Sequence, residues 1–232
     1  LQHQVVRAGR LSALGEVVAG IAHEIKNPLH SLAGTAEVVD PLIPLDAEER
    51  GLWDSHRAEL ERLGRTAERF LSFARPGVLL DAELDLRDVA ARLVELLGAQ
   101  ARQEGVLVRL SLPEVPVFVR GDRDQLAQLA LNIALNGIRA IGAGGGTLLI
   151  SVINETREDK GMACLAIENN GPRIPEAEIE QLFDPFFTGT PEGTGLGLSI
   201  AARIAEQHEG YIEAANEGLG VRFRVMIPRS AR

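Results

Sequence analysis

A histidine followed by a carboxylate is the first pair in this chain able to do chemistry. His23 and Glu24 stand in Ala22-His23-Glu24-Ile25-Lys26-Asn27-Pro28-Leu29, with Asn27 three residues beyond the carboxylate. A neutral imidazole is a competent nucleophile near pH 7. Four clusters downstream carry chemistry of another kind. Asn132 and Asn136 are four residues apart, with Arg139 following. On a helix they share a face; an amide oxygen can ligate Mg²⁺ without adding charge, and a guanidinium meets phosphate oxygens. Gly193-Thr194-Gly195-Leu196-Gly197-Leu198-Ser199 opens a predicted helix, and its glycines let backbone amides close on an anion there. Phe183-Asp184-Pro185-Phe186-Phe187-Thr188 precedes it, and Glu168-Asn169-Asn170-Gly171-Pro172-Arg173-Ile174-Pro175 reads as a turn between a strand and a helix. Taken singly, each has a plain structural reading: a surface histidine, a wet helix face, a glycine turn, a hydrophobic plug, a loop. Their order and spacing on one chain carry the information.

The elements that must position these groups follow from periodicity. Leu11, Leu14, Val18, Ile21, Ile25, Leu29 and Leu32 recur at steps of three and four, which predicts one long helix to about residue 39. His23 lies two residues past Ile21, about 200° around the helix, and so faces away from the apolar seam. Pro28 should kink or loosen the helix just beyond the histidine. The proline-bearing stretch from Asp40 to Asp46 breaks it, and Asp46 with Glu48 and Glu49 marks the start of a second helix over 47–74. Trp53, His56, Leu60, Leu63, Ala67, Phe70 and Ala74 form its seam. One hairpin cannot bury two such seams well, whereas two hairpins make a four-helix bundle, so a homodimer is expected.

Arg75-Pro76-Gly77 marks a boundary between domains at 1–75 and 76–232. Beyond it the spacing predicts strands at 82–86, 106–110, 117–120, 147–153, 162–168, 211–215 and 221–227. Helices are predicted at 86–103, 122–141, 176–181 and 196–208. Strands and helices do not alternate singly, which predicts an α+β sandwich and not a doubly wound sheet.

With 232 residues, 45% of them hydrophobic and 25% charged, the composition is ordinary for a globular protein with a real core. Aromatic residues are only 4%, so that core must be built from Leu, Val, Ile and Ala. A net charge of −9 argues against a general nucleic-acid binder. The single cysteine, Cys164, excludes an internal disulfide and is expected to be a buried, inert thiol. No apolar run reaches the roughly 18–20 residues a membrane span needs. The chain begins at Leu1 inside a helical pattern, and we read it as a cytoplasmic fragment; any membrane anchor would lie upstream.

The octet around His23 resembles the phosphoacceptor box of the two-component sensor histidine kinases. The clusters at 122–140, 183–188, 193–199 and 168–175 resemble the N, F, G2 and G1 boxes of the GHKL (Bergerat) ATP-binding fold. The resemblance covers essentially the whole chain. It implies a dimerisation and histidine-phosphotransfer hairpin followed by a catalytic ATP-binding domain. It implies ATP and Mg²⁺ as cofactors, with Asn136 as the metal ligand and Asn132, Arg139, Asn169, Gly171, Arg173, Thr194, Gly195, Leu196 and Gly197 at the nucleotide. His23 would accept the phosphoryl group. Glu24 would hold its other ring nitrogen and act as base, and Asn27 would position water for the reverse, phosphatase reaction. The next acceptor would be an aspartate on a response-regulator receiver domain.

The chain departs from the family at the G1 box, which should read Asp-x-Gly-x-Gly and here reads Asn169-x-Gly171-x-Arg173. The family's Asp accepts a hydrogen bond from the adenine amino group. Asn169 keeps a carbonyl oxygen but loses charge assistance, which costs about 1 kcal/mol, or several-fold to tenfold in affinity. A tight-turn glycine often has φ > 0, which would cost Arg173 about 1–2 kcal/mol. Its side chain would either crowd the adenine slot or fold out toward phosphate. Gly137 stands where Ala is usual, and Thr190 where short lids often carry a basic residue. The alternative on the same fold is a pseudokinase scaffold or phosphatase-biased dimer. A GHKL ATPase of the gyrase or mismatch-repair kind would leave the His23 octet without a role.

Overall fold

The computed structural model describes residues 25–44, 46–74, 82–157, 160–189, 194–218 and 220–230. It divides into two compact units, Leu1–Gly77 and Val78–Arg232.

In the first unit, residues 25–39 form helix α1 and Ala47–Ala74 form α2, joined through a 3₁₀ turn at Asp40–Leu42. Helix α1 runs on through Pro28. The hydrogen bond that proline forgoes would go to residue 24, outside the described residues. Asp46 starts α2 as predicted. Its Oδ1 accepts from the Glu48 and Glu49 amides at 2.9 Å, while its own amide donates to Glu49 Oε2 at 3.0 Å, a reciprocal capping box. Asp40 ties the turn to α2 through ion pairs with Arg50 and Arg57, and the Arg50 hydrogen bond in particular holds its carboxyl below the usual carboxylate range. Ala36 and Leu60 are buried, but Leu32, Val38 and Leu52 stay 54%, 68% and 69% exposed. The seams are therefore only partly used within a single chain.

The second unit is a two-layer sandwich. Its elements run β1 (Ala82–Asp85), α3 (Leu86–Gln103), β2 (Val106–Ser111), β3 (Phe118–Gly121), α4 (Arg123–Ile141), β4 (Gly146–Arg157), β5 (Lys160–Asn169), α5 (Glu176–Ile179), α6 (Gly197–Gln207), β6 (Tyr211–Glu217) and β7 (Gly220–Pro228). Five strands form one sheet in the order β2-β4-β5-β7-β6, and β1 pairs with β3 in a small sheet of its own. The predicted strands at 147–153 and 162–168 pair as an antiparallel β4–β5 hairpin, with Ile150 opposite Ile167 and Val152 opposite Leu165. The parallel pairing of β2 with β4, reached by a crossover through α4, makes the sheet mixed.

Alternation along β4 and β5 sends Leu148, Ile150, Leu165 and Ile167 to the helical face. There they pack with Leu93, Leu97, Leu129, Ile133 and Ile138 of α3 and α4, all fully buried. The other face carries a buried cluster of Met162, Cys164, Ala166 and Met226, flanked by the ion pairs Arg224–Glu155 and Arg222–Glu168. Burial pushes the Cys164 thiol above its ordinary range, against the opposing pull of the Arg224 guanidinium. Among the described residues no helix is long and apolar enough to cross a membrane.

Candidate functional site

His23 and Glu24 lie outside the described residues. Asn27 sits in α1 and is exposed.

In the second unit, α4 carries the asparagine pair. Asp122 caps the helix by accepting from the Asp124 and Gln125 amides at 2.9 and 3.1 Å. The turn before it is fixed from a distance: the buried His208, at the end of α6, accepts from the Asp122 amide at 3.0 Å through Nε2. His208 Nδ1 lies 2.7 Å from the Ile204 carbonyl, so the ring is held as the Nδ1–H tautomer. Leu126, Leu129, Ala130, Ile133, Ala134, Gly137 and Ile138 form the buried stripe of α4. That leaves Asn132 and Asn136 half-buried, one turn apart, and Arg139 exposed beyond them. The Asn132 Nδ2 is buried without a partner.

Asn169 ends β5 beside α4. It is 4% exposed, and among the described residues its Oδ1 has no hydrogen-bond partner. Gly137 lets the helix approach it: a Cβ there would stand 3.5 Å from Asn169 Cβ and 2.9 Å from Leu148 Cδ1. Gly171 is tighter still, since a Cβ would fall 2.9 Å from the Ala140 carbonyl carbon and oxygen. Backbone cannot yield there, so the turn after β5 can lie against the end of α4 only with glycine at this position.

Arg173 does not carry the expected strain. Among the described residues the only non-glycine positions with φ > 0 are Phe186 and Glu209. Its guanidinium takes neither of the expected courses. Nη2 donates to the Gly218 carbonyl at 2.7 Å, at the turn between β6 and β7. Next to it, Ile174 exchanges two hydrogen bonds with the Asn216 side chain, at 2.9 and 2.7 Å. The G1 turn is thus clamped to the β6–β7 hairpin. Neither Asn216 nor His208 was identifiable as a positioning residue from local sequence, because their partners lie 42 and 86 residues away.

The Phe-Phe and glycine-rich segments grip one another. Phe186 adopts φ 67° and Gly195 φ 65°, and the Phe186 amide donates to the Gly195 carbonyl at 3.0 Å. A Cβ on Gly195 would lie 2.6 Å from the Phe186 Cα. Leu196, fully buried, precedes α6, and no side chain caps that helix. The Ser199 hydroxyl donates backwards to the Leu196 carbonyl at 2.9 Å. Among the described residues no side chain satisfies the first amides of α6, which an α-helix leaves without intrahelical partners, and the helix dipole puts partial positive charge there. Thr194 is half-buried just ahead of them. Among the described residues no group of three or more His, Cys, Asp or Glu is arranged to hold a metal.

Comparison with known proteins gives this arrangement its relatives. Residues 13–77 match the His Kinase A (phospho-acceptor) domain, and residues 121–231 match the histidine kinase-, DNA gyrase B- and HSP90-like ATPase family. The chain is 34% identical over 230 residues to sensor histidine kinase ZraS of Escherichia coli O157:H7, covering 98% of this chain and 49% of that protein. It is 31% identical to the catalytic domain of histidine kinase ThkA, over 64% of this chain and 95% of that structure, with a TM-score of 0.55. The chain belongs to the histidine kinases. Full-length ShkA, solved in complex with AMPPNP, has the same kinase fold, with a TM-score of 0.78 over 94% of this chain and 46% of that one at 22% identity. This histidine kinase chain spans about half the length of the curated relatives it matches, 49% for ZraS.

Proposed function

We propose that the chain autophosphorylates on His23 from Mg-ATP and passes the phosphoryl group to an aspartate of a response-regulator receiver domain. The observation that carries the nucleotide half of this reading is the partnerless carbonyl oxygen of Asn169. A buried polar atom left without a hydrogen bond costs about 1–3 kcal/mol, and the exocyclic amino group of adenine is a donor of the right kind. The ATPase-family match and the AMPPNP held by ShkA, whose fold this chain shares, support the same reading.

The residues then divide the work. Asn169 accepts from the base, and Gly171 lets the turn close against α4. Thr194 and the first amides of α6, from Gly197 onward, meet phosphate oxygens, with Gly195 setting the turn and Leu196 anchoring it. Asn132 offers its unpaired amide N–H to the phosphates, Asn136 its carbonyl oxygen to Mg²⁺, and Arg139 its guanidinium to phosphate. Arg173 keeps its guanidinium on the hairpin. Bound Mg²⁺ supplies the charge that steadies the phosphates as the terminal group moves. A neutral ring nitrogen of His23 forms the new P–N bond while the bond to the ADP oxygen breaks. Glu24 accepts the proton on the other ring nitrogen and keeps the attacking one bare. Asn27 serves the reverse, phosphatase reaction. We propose the unit boundary near residue 76 as the domain boundary, and a homodimer of the first unit as the working state.

Calorimetric titration of Mg-ATP tests the site. Saturable binding with a dissociation constant below about 1 mM is expected, lost in Asn136→Ala with Gly195→Ala. No heat at millimolar ATP would leave the pseudokinase scaffold as the reading.

A further inference from the structure

The side chain of Asn169 is placed but not oriented. Its backbone is locked in the sheet, paired with Leu148 of β4 on one side and Val221 of β7 on the other. Its Oδ1 is buried, and among the described residues no hydrogen bond holds it. The position beside the Asn169 side chain on α4 is Gly137, which carries no side chain, and from β4 the neighbour is the apolar Leu148. Nothing in these contacts favours the carbonyl inward over the amino group inward.

A carboxamide has one accepting and one donating end, and half a turn about its last torsion exchanges them. A 6-aminopurine presents a donor at C6 and an acceptor at N1; a 6-oxopurine presents an acceptor at C6 and a donor at N1. Each edge is the complement of one orientation of the same amide. A carboxylate at this position has acceptors only. Facing a 6-oxo group it could still accept from N1–H but would set a lone pair against the C6 oxygen and leave that oxygen unpaired, a loss of about tenfold or more in affinity.

We propose that Asn169 makes this site tolerant at the 6-position of the purine, so that 6-oxopurine nucleoside triphosphates bind it alongside ATP. Asn169 is then a specificity-determining residue, and its departure from Asp broadens the substrate class beyond weakening the hold on adenine. The inference rests on the reading that the site holds a nucleotide.

The test is calorimetric titration of the whole chain, with Mg²⁺ present, using ATP and inosine triphosphate. Inosine triphosphate differs from ATP at the C6 substituent and the N1 proton, with no added 2-amino group. Wild type is expected to bind the two within about tenfold of one another, while Asn169→Asp tightens ATP several-fold and weakens inosine triphosphate by about tenfold or more. Wild type that binds ATP but rejects inosine triphosphate by more than about tenfold overturns the inference and leaves the nucleotide reading standing. So does an Asn169→Asp variant that binds ATP with an unchanged ratio between the two. If Asn169→Asp binds neither nucleotide, the wild-type ratio alone decides. If wild type binds neither, the nucleotide reading fails and takes the inference with it.

Discussion

Asp85 shows how much one side chain holds in place. Its Oδ1 accepts from the Arg87 amide at 3.0 Å and the Val117 amide at 3.2 Å, and its Oδ2 from Arg87 Nε at 2.9 Å. It caps α3 and anchors the segment leading into β3. Burial pushes its carboxyl up, but the hydrogen bonds from Arg87 and Val117 outweigh this and set it below the usual range. A depressed carboxyl stabilises the fold above its unfolded value of about 3.9, and that stabilisation is lost as pH falls through the lower, folded value. Asp85→Ala should therefore cost about 1–2 kcal/mol in urea denaturation at pH 7 and progressively less below about pH 4. Cys164, buried and raised above its ordinary range, should react with a thiol reagent at pH 8 only on the timescale of unfolding. At this scale short motifs singled out Asn169 and Gly195, which the structure places at the end of β5 and against Phe186. The sequence was unreadable at Arg173, whose destination is a carbonyl 45 residues away; no local pattern encodes that.

Between elements, the proposed nucleotide site depends on two close approaches. Gly195 against Phe186 joins the glycine-rich loop to the Phe-Phe segment. Gly195→Ala would place a methyl inside the Phe186 backbone as well as straining a positive φ, so ATP affinity should fall by at least about tenfold while far-UV circular dichroism stays unchanged. The Asn216 clamp is the second. Asn216→Ala removes both hydrogen bonds that hold Ile174, and about a two- to tenfold loss of ATP affinity with a smaller effect on folding stability is expected from calorimetry. The elements themselves were legible because periodicity and caps mark them: α2 starts at its Asp46 box, and α3 spans the predicted 86–103. Strand pairing was less legible. The β4–β5 hairpin follows from adjacency, but the parallel β2–β4 ladder joins strands separated by β3 and α4, and only the assembled sheet decides that.

For the molecule as a whole, the first unit leaves Leu32, Val38 and Leu52 more than half exposed, which a solitary hairpin tolerates poorly. Sedimentation equilibrium should find a dimer, and Leu32→Asp should weaken it by at least about tenfold. On the proposed reading these features serve one reaction, in which His23 receives the phosphoryl group from a nucleotide held by the second unit. The most direct test is incubation with γ-labelled ATP and Mg²⁺, followed by separation of the protein. The account predicts acid-labile, alkali-stable label on the wild-type chain, absent from His23→Ala and retained in His30→Ala. No label at millimolar ATP, or label that persists in His23→Ala, would contradict it.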